Sequence, residues 1–439
     1  MTESLETSNI IPTNQYWKVQ NAMQQIIRVD MRSGNVFGLD LPSQYRDYGG
    51  RALTARILSE EVSPNSHSLG RNNKCVIATG LFAGTPFPCA NRCSIGAKSP
   101  LTGGIKESNG GGTAAFKVSK LNIRAVIIEE QPAEGNGLYI LKLDATGGRL
   151  ISADEYTGCP IACKHTYVDS KGQYITSSLE YETIALLGSN CGIDDLDAIA
   201  EMDRLCDEIG VDTMEMGAAI GVAMEAGQVS FGDARGTIAL LKEIPKNAPM
   251  GRIVNSGAEM TGKVFGVTRV PAVKGQGIAG YDPRANKGIG VTYISSPMGA
   301  DHTAGCTIPG RKGFDHDKEY DVLKPDGQEE LSLDLQIMVA ILDATGICFF
   351  VGLDTTTLKI LVDLHNARFG QNIIFDDLVE LGKQTLVIEH QFNLAAGKQV
   401  VERLPEFFEI EPLSPHKSVY DVKTVSVITE MGNKLGLQS

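Results

Sequence analysis

The hydrophobic pattern changes its period near residue 156, which restricts the chain to a β-rich part followed by helical parts. Before that point, short runs such as QQIIRVDM, KCVIATGLF and RAVIIEE, separated by Ser-Gly, Asn-Asn and similar turn signals, read as strands. YILKLDATGGRLISAD reads as a hairpin about its Gly-Gly. After that point the spacing is helical. In DDLDAIAEMDRLCDEIG the apolar residues Leu196, Ile199, Met202, Leu205, Cys206 and Ile209 recur at helical spacing; Asp194 or Asp195 can cap the start and Gly210 can end it. VDTMEMGAAIGVAMEAG predicts a second helix ending at Gly227. LSLDLQIMVAILDATGICFF, apolar on nearly every side up to Asp343, predicts a buried one. The expected fold class is α+β: a β-rich unit over residues 1–155, then two mainly α-helical units over 156–272 and 273–439. VPAVKGQGIAGYDPRANKG is the linker between the helical units. Three units also suit 439 residues at ~150 per domain.

Charge narrows the partners. A formal net charge of -13 opposes a nucleic-acid backbone and an anionic membrane surface, so neither is expected as a partner. The N-terminus, MTESLETSNIIPTNQ, lacks the basic-then-apolar order of a signal peptide, and no apolar run reaches the ~18 residues of a spanning helix. A cytoplasmic protein is expected. In a reducing compartment, nine cysteines read as thiols or metal ligands rather than disulfides.

Glycine is the compositional outlier, at 48 of 439 residues, and it clusters. The segment from Gly84 to Gly112, GTPFPCANRCSIGAKSPLTGGIKESNGGG, reads as a long loop of functional type, with a surface Ω-loop as the bland alternative. Two hexamers echo one another: DEIGVD from Asp207 and DATGIC from Asp343 both follow a helix and both read Asp-x-x-Gly. A glycine there supplies a left-handed turn that lets backbone and carboxylate face one ligand; two unrelated helix caps are the alternative.

Cys159 and Cys163, in CPIAC, would share a helical face, as buried core cysteines also would. With Cys348 they make three thiolates, which suits an iron–sulfur cluster or zinc. The four-residue spacing is unlike a zinc ribbon, so iron–sulfur is preferred. Glu180 and Glu182, in SLEYETI, would share a face if the segment is extended; two surface carboxylates are the alternative.

GGRALTARIL, ATGLFAGTPFP, KSPLTGG, SNGGG, CPIAC, LEYETIALLGSNCGI, the paired hexamers, GYDPRA and SPMGADHTAG occur in an order that resembles the aldehyde:ferredoxin oxidoreductase family of tungsten or molybdenum enzymes, from about residue 45 to 420. The resemblance implies an N-terminal domain that seats pterin and a metal held by the dithiolenes of two pterins. It also implies a 4Fe-4S cluster passing electrons to ferredoxin, and oxidation of an aldehyde to a carboxylate. In that picture Arg92 and Asn109 match positions at the pterin phosphates and their magnesium, and Lys98 and Ser99 lie in the same cofactor-binding stretch. Asp207, Gly210 and Asp212 match one pterin hexamer; Asp343 and Gly346 match the other, with Cys348, Cys159 and Cys163 as cluster ligands. His302 matches the family's histidine near the metal, in a proton-transfer role. Glu182, ahead of Glu180, matches the carboxylate beside it.

The chain departs from the family in two places. Tyr156 stands where the first cysteine of a Cys-x2-Cys-x3-Cys motif belongs, which leaves Cys89 and Cys93 as sources of a fourth thiolate. LYILKLDATGGRLISADEY runs almost directly into TGCPIAC, without the long segment that completes the N-terminal β domain in family members. The site is then left open on one side or completed by a partner subunit or a homodimer. Two classes follow: a redox enzyme of the aldehyde oxidoreductase type, and a non-catalytic relative acting as a scaffold. A pterin protein without a cluster is a third. Cys75, Cys191, Cys206 and Cys306 stay outside these assignments, with Cys206 expected in the core.

Overall fold

The computed structural model describes residues 25–132, 139–144, 147–152, 166–177 and 179–437. Tyr156, Cys159 and Cys163 lie outside the described residues.

Six strands form one mixed sheet in the order β2-β1-β6-β3-β4-β5: β1 Gln25–Asp30, β2 Asn35–Asp40, β3 Lys74–Thr79, β4 Cys93–Lys98, β5 Ile105–Gly110 and β6 Ile123–Glu129. β1 and β6 run parallel, and the other neighbours are antiparallel. Helix α1, Gly50–Glu61, covers one face over β3 and β4, burying Leu53, Ile57 and Leu58 against Val76, Ala78 and Ile127. Helix α2, Ala114–Lys120, precedes β6. A separate hairpin, β7 Tyr139–Asp144 with β8 Gly147–Ser152, lays Leu141, Leu143 and Leu150 on the opposite face.

Two expectations for this part are corrected. The glycine-rich segment from Gly84 to Gly112 is not one long loop, because β4 and β5 pair within it from Cys93↔Gly110 to Lys98↔Ile105. Its small residues answer to packing: a Cβ on Gly96 would sit 2.8 Å from the Thr54 Cβ on α1, so the helix crosses β4 only where a side chain is missing. The β7–β8 hairpin does not turn about its Gly-Gly either. Asp144 pairs with Gly147 and Leu143 with Gly148, so both glycines belong to the second strand. There a Cβ on Gly148 would meet Val36 Cγ1 of β2 at 2.7 Å.

The rest is mainly helical. After the small pair β9 Thr166–Val168 and β10 Tyr174–Ser177 come α3 Tyr181–Thr183, α4 Leu196–Ile209, α5 Thr213–Glu225, α6 Ala234–Leu241, α7 Pro249–Asn255 and α8 Ala258–Phe265. A short hairpin, β11 Ala272–Val273 with β12 Gln276–Gly277, leads to α9 Lys287–Ser295, α10 Gln328–Thr345, α11 Thr355–Phe369, α12 Phe375–Ala395, α13 Phe407–Ile410 and α14 Thr424–Leu435. Asp195 caps α4 by accepting from the main-chain N–H of Asp197 at 3.0 Å, and Gly210 ends it in the left-handed region at φ +80°. Helix α10 is buried along nearly its whole length, as its all-round apolar pattern requires, and packs on α1, α9, α12 and α14. Gly382 lets α12 approach it: a Cβ there would lie 2.6 Å from the Ile337 carbonyl oxygen. Among the described residues no helix is long and apolar enough to cross a membrane.

Candidate active site

The second Asp-x-x-Gly hexamer is stitched by main-chain bonds to the stretch from Leu81 to Arg92, which runs into the glycine-rich segment. Leu81 N–H donates to Ala344 O at 3.1 Å, Phe82 N–H to Thr345 O at 2.9 Å, Arg92 N–H to Gly346 O at 3.2 Å, and Cys348 N–H to Cys89 O at 3.1 Å. Gly346, at φ +81°, both ends α10 and crosses Gly80, which leaves no room for a side chain on either. This crossing brings together three residues singled out in the sequence. Arg92 binds the Asn109 side chain through Nε and the Asn109 carbonyl through Nη2 at 2.9 Å, while its Nη1 lies 3.7 Å from Cys348 Sγ.

Beneath them lies a buried charge cluster. Arg51 grips Glu389 with a two-pronged pair, Nε to Oε1 at 2.9 Å and Nη2 to Oε2 at 2.8 Å, and its Nη1 reaches Asp343 Oδ2 at 3.5 Å. Glu107, on β5, accepts weakly from Asn109 Nδ2 at 3.5 Å. Burial, then the neighbouring Asp343 charge, pushes the Glu107 carboxyl well above the usual range. Burial also raises Asp343, against the pull of Arg51 and Arg92.

A second centre forms around His302. The segment carrying Glu182 is not extended: Tyr181–Thr183 starts a helical turn that continues over Ile184–Gly188 in π geometry, so Glu180 and Glu182 diverge. This turn packs closely on α5, where a Cβ on Gly217 would meet the Leu186 main chain at 2.5 Å. Glu180 is exposed. Glu182 Oε1 lies 3.1 Å from His302 Nε2 and accepts from Tyr281 OH at 3.3 Å, and the Tyr281 ring stacks on His302 with centroids 4.7 Å apart. The His302 hydrogen bond holds the Glu182 carboxyl below its ordinary range. His302 Nδ1 is buried without a hydrogen-bond partner among the described residues.

The first hexamer is placed differently. Gly210 has nothing within 4 Å of where a Cβ would be, Asp207 is exposed, and Asp212 caps α5 by accepting from Met214 N–H at 2.7 Å. The next residue, Thr213, meets Thr183 hydroxyl to hydroxyl at 2.9 Å, which sets the hexamer beside the Glu182 turn. Lys98 is engaged with main-chain carbonyls, Pro64 O at 2.6 Å and Ser66 O at 2.9 Å. Ser99 Oγ closes its own turn by accepting from Leu101 and Thr102 N–H, both at 3.1 Å. Cys89 is exposed; Cys93 is buried against Gly110 O at 3.8 Å. Cys191 and Cys206 are core residues.

Sequence reasoning missed Arg51, Glu107, Lys106, Tyr281 and Glu389 as site residues. Glu107 had a signal, since it lies two residues from Asn109 on the same strand face. Arg51 stood inside GGRALTARIL without any local sign of its partner, 338 positions away.

The aldehyde ferredoxin oxidoreductase N-terminal domain matches residues 26–178, and domains 2 and 3 of the same family match residues 147–434. The chain belongs to the aldehyde ferredoxin oxidoreductase family. Among relatives, the tungsten-containing aldehyde ferredoxin oxidoreductase of Pyrococcus horikoshii is 30% identical over 281 residues, covering 58% of this chain and 45% of that protein. An aliphatic sulfonate oxidoreductase, WOR-like subunit, of Pyrococcus furiosus is 25% identical over 292 residues, covering 59% and 43%. The match spans under half the length of these relatives. A chain of the active-site complex BamBC of benzoyl coenzyme A reductase, solved with 1,5-dienoyl-CoA, superposes with a TM-score of 0.74 at 12% identity, covering 94% of each chain; at that identity the likeness is one of fold.

Membership supports an oxidoreductase role and, at the level of the family, a metal–pterin and iron–sulfur cofactor system. The Arg92 guanidinium beside Asn109 has the capacity for an anionic ligand that the pterin part requires, and the buried Nδ1 of His302 is a separate polar atom left without a partner among the described residues. Among the described residues no group of three His, Cys, Asp or Glu could hold a metal ion, and two of the three expected cluster cysteines lie outside them.

Proposed function

We propose that this protein oxidises an aldehyde to a carboxylate at a tungsten or molybdenum bis-pterin centre, with electrons leaving through a 4Fe-4S cluster to ferredoxin. The carrying observation is the Glu182–His302 pair with its buried Nδ1, unpartnered among the described residues. When bound, the metal–pterin centre supplies the two-electron acceptor. Arg92 and Asn109 would hold pterin phosphate with magnesium; Asp343, Gly346, Asp207, Gly210 and Asp212 would bind the pterins; Cys348, with Cys159 and Cys163, would hold the cluster.

In the overall reaction, aldehyde and water become carboxylate, three protons and two electrons. Glu182, kept ionised, accepts the Nε2 proton of His302 in a hydrogen bond and so fixes the tautomer in which Nδ1 is a bare acceptor. Tyr281 holds the ring flat and donates to the same carboxylate oxygen. Nδ1 then takes a proton from water as that water adds to the aldehyde carbon. Of the two candidates for a fourth cluster thiolate in place of Tyr156, Cys89 is the better placed, because its main chain pairs with Cys348 and its side chain is exposed.

The length of the match favours a second reading, in which the chain is one subunit of a split enzyme or a non-catalytic scaffold. Metal analysis of anaerobically purified protein from a host that makes the cofactor, with aldehyde-driven viologen reduction on the same sample, separates the two. Tungsten or molybdenum with iron and turnover supports the enzyme; absence of both metals and of turnover refutes it for the isolated chain.

A further inference from the structure

We propose that Lys106 and Asp301 are a positioning pair that sets the orientation of the His302 imidazole. The proposal rests on the reading of His302 as a proton acceptor. Lys106 lies on β5, the edge strand of the sheet, and its ammonium pairs with Asp301 Oδ2 across 195 positions of sequence. Asp301 is the residue before His302 and the cap of the short turn His302–Gly305. Its two carboxylate oxygens divide the work. Oδ1 accepts from Thr303 N–H at 2.9 Å and from the Thr303 hydroxyl at 2.6 Å, which closes the turn; Oδ2 takes the ammonium.

The two ends of that turn are anchored to different parts of the molecule. Gly305 is held by the helical core: its carbonyl accepts from Thr292 Oγ1 at 2.9 Å, and a Cβ on it would meet Gln336 of α10 at 2.7 Å. At the other end the ionic anchor is Lys106, from the sheet. Burial, the largest single influence, favours neutral Asp301, but the Lys106 charge together with the hydrogen bonds from Lys106 and Thr303 outweighs it and holds the carboxyl below its ordinary range. The same strand carries Glu107 into the cluster of Arg51 and Asp343, so adjacent residues of β5 register His302 against the Arg92–Asn109–Cys348 side. The other groups around this turn, Glu182, Tyr281 and Cys306, come from α3, the segment before α9 and the turn's own end, and Glu215 of α5 lies within the field of Lys106.

The test is nitrogen-15 NMR of the imidazoles in the full chain, which has seven histidines, with His302 assigned by His302→Gln. Wild type is expected to show one tautomer, protonated at Nε2. Lys106→Met and Asp301→Asn should both replace that pattern by an exchange-averaged one in protein that stays folded by circular dichroism, with the melting temperature lowered by loss of the ion partner, and Lys106→Arg should restore it. In loaded enzyme the same two losses should lower kcat ~10- to 100-fold with KM little changed, as misplacement of a reacting group does. Wild-type His302 signals in folded Lys106→Met and Asp301→Asn would overturn the proposal. If the signals change as expected but no variant, wild type included, oxidises aldehyde, the positioning pair stands and the proton-transfer reading falls.

Discussion

Gly80 and Gly346 meet backbone to backbone: a Cβ on Gly80 would lie 2.2 Å from the Gly346 Cα, and one on Gly346 would lie 2.9 Å from the Gly80 Cα. The second Asp-x-x-Gly glycine is therefore a crossing point as well as a helix end. Its counterpart Gly210, at nearly the same φ, faces open space.

That difference predicts unequal effects of the same substitution. Gly210→Ala should cost about 1–2 kcal/mol, the left-handed penalty alone. Gly80→Ala and Gly346→Ala force main chain against main chain and should cost more than ~3 kcal/mol or prevent folding, beyond the usual range for overpacking. Thermal melting of the three variants checks the ranking; equal losses would remove the crossing from the argument.

The Arg51–Glu389 pair is almost fully buried, with Arg51 at 1% and Glu389 at 0% exposure. Removing one partner strands the other charge away from water, so Glu389→Gln or Arg51→Met should destabilise by about 3–5 kcal/mol. The double variant should lose less than the sum of the two. Urea unfolding of the four proteins in the cycle measures this coupling, which additive losses would contradict.

Lys274 donates from Nζ to Ser296 O at 2.7 Å and to Val400 O at 2.8 Å, and burial pulls its pKa down to about 7 from 10.5. Between those values the unfolded chain holds a proton that the folded protein lacks, so stability rises with pH across the window. Below about pH 7 the full penalty of a buried ammonium is present; above 10.5 it is gone. Wild type measured against Lys274→Met should gain on the order of a few kcal/mol from pH 7 to 10, read by urea midpoints. A flat difference would mean Lys274 stays charged.

Glu182 and Glu180 are two residues apart, but only Glu182 touches His302. Glu182→Gln should lower aldehyde turnover of loaded enzyme ~10²- to 10⁴-fold, because His302 then loses the carboxylate that fixes its tautomer and with it the worth of a positioned proton acceptor, and Glu180→Gln should leave it unchanged. Steady-state assays of both variants decide which carboxylate acts.

Thiol reactivity should follow burial. The Cys191 and Cys206 thiols are pushed up to about 12 by burial, and Cys89 is exposed. Alkylation at neutral pH followed by peptide mapping should mark Cys89 in folded, metal-free protein, and Cys191 and Cys206 only after unfolding.

What the sequence by itself determined is what local physics encodes. Helix α4 was legible with its Asp195 cap and Gly210 end because periodicity and capping act within a few residues. Burial of α10 was legible because an all-round apolar helix has no face to give to water. The order of the family motifs carried the choice of Arg92, Asn109, Cys348, Glu182 and His302, the residues that the fold gathers into two centres. Tertiary structure alone decided the rest. Strands β4 and β5 were hidden because the close approach of α1 requires small residues, which in isolation read as loop. The helical turn at Glu182 is packed against Gly217 of another helix, and the partners of Arg51 and Lys106 lie 338 and 195 positions away. Contacts between residues so distant in sequence are set by how helices and sheet pack together, and no local pattern of residues records that packing.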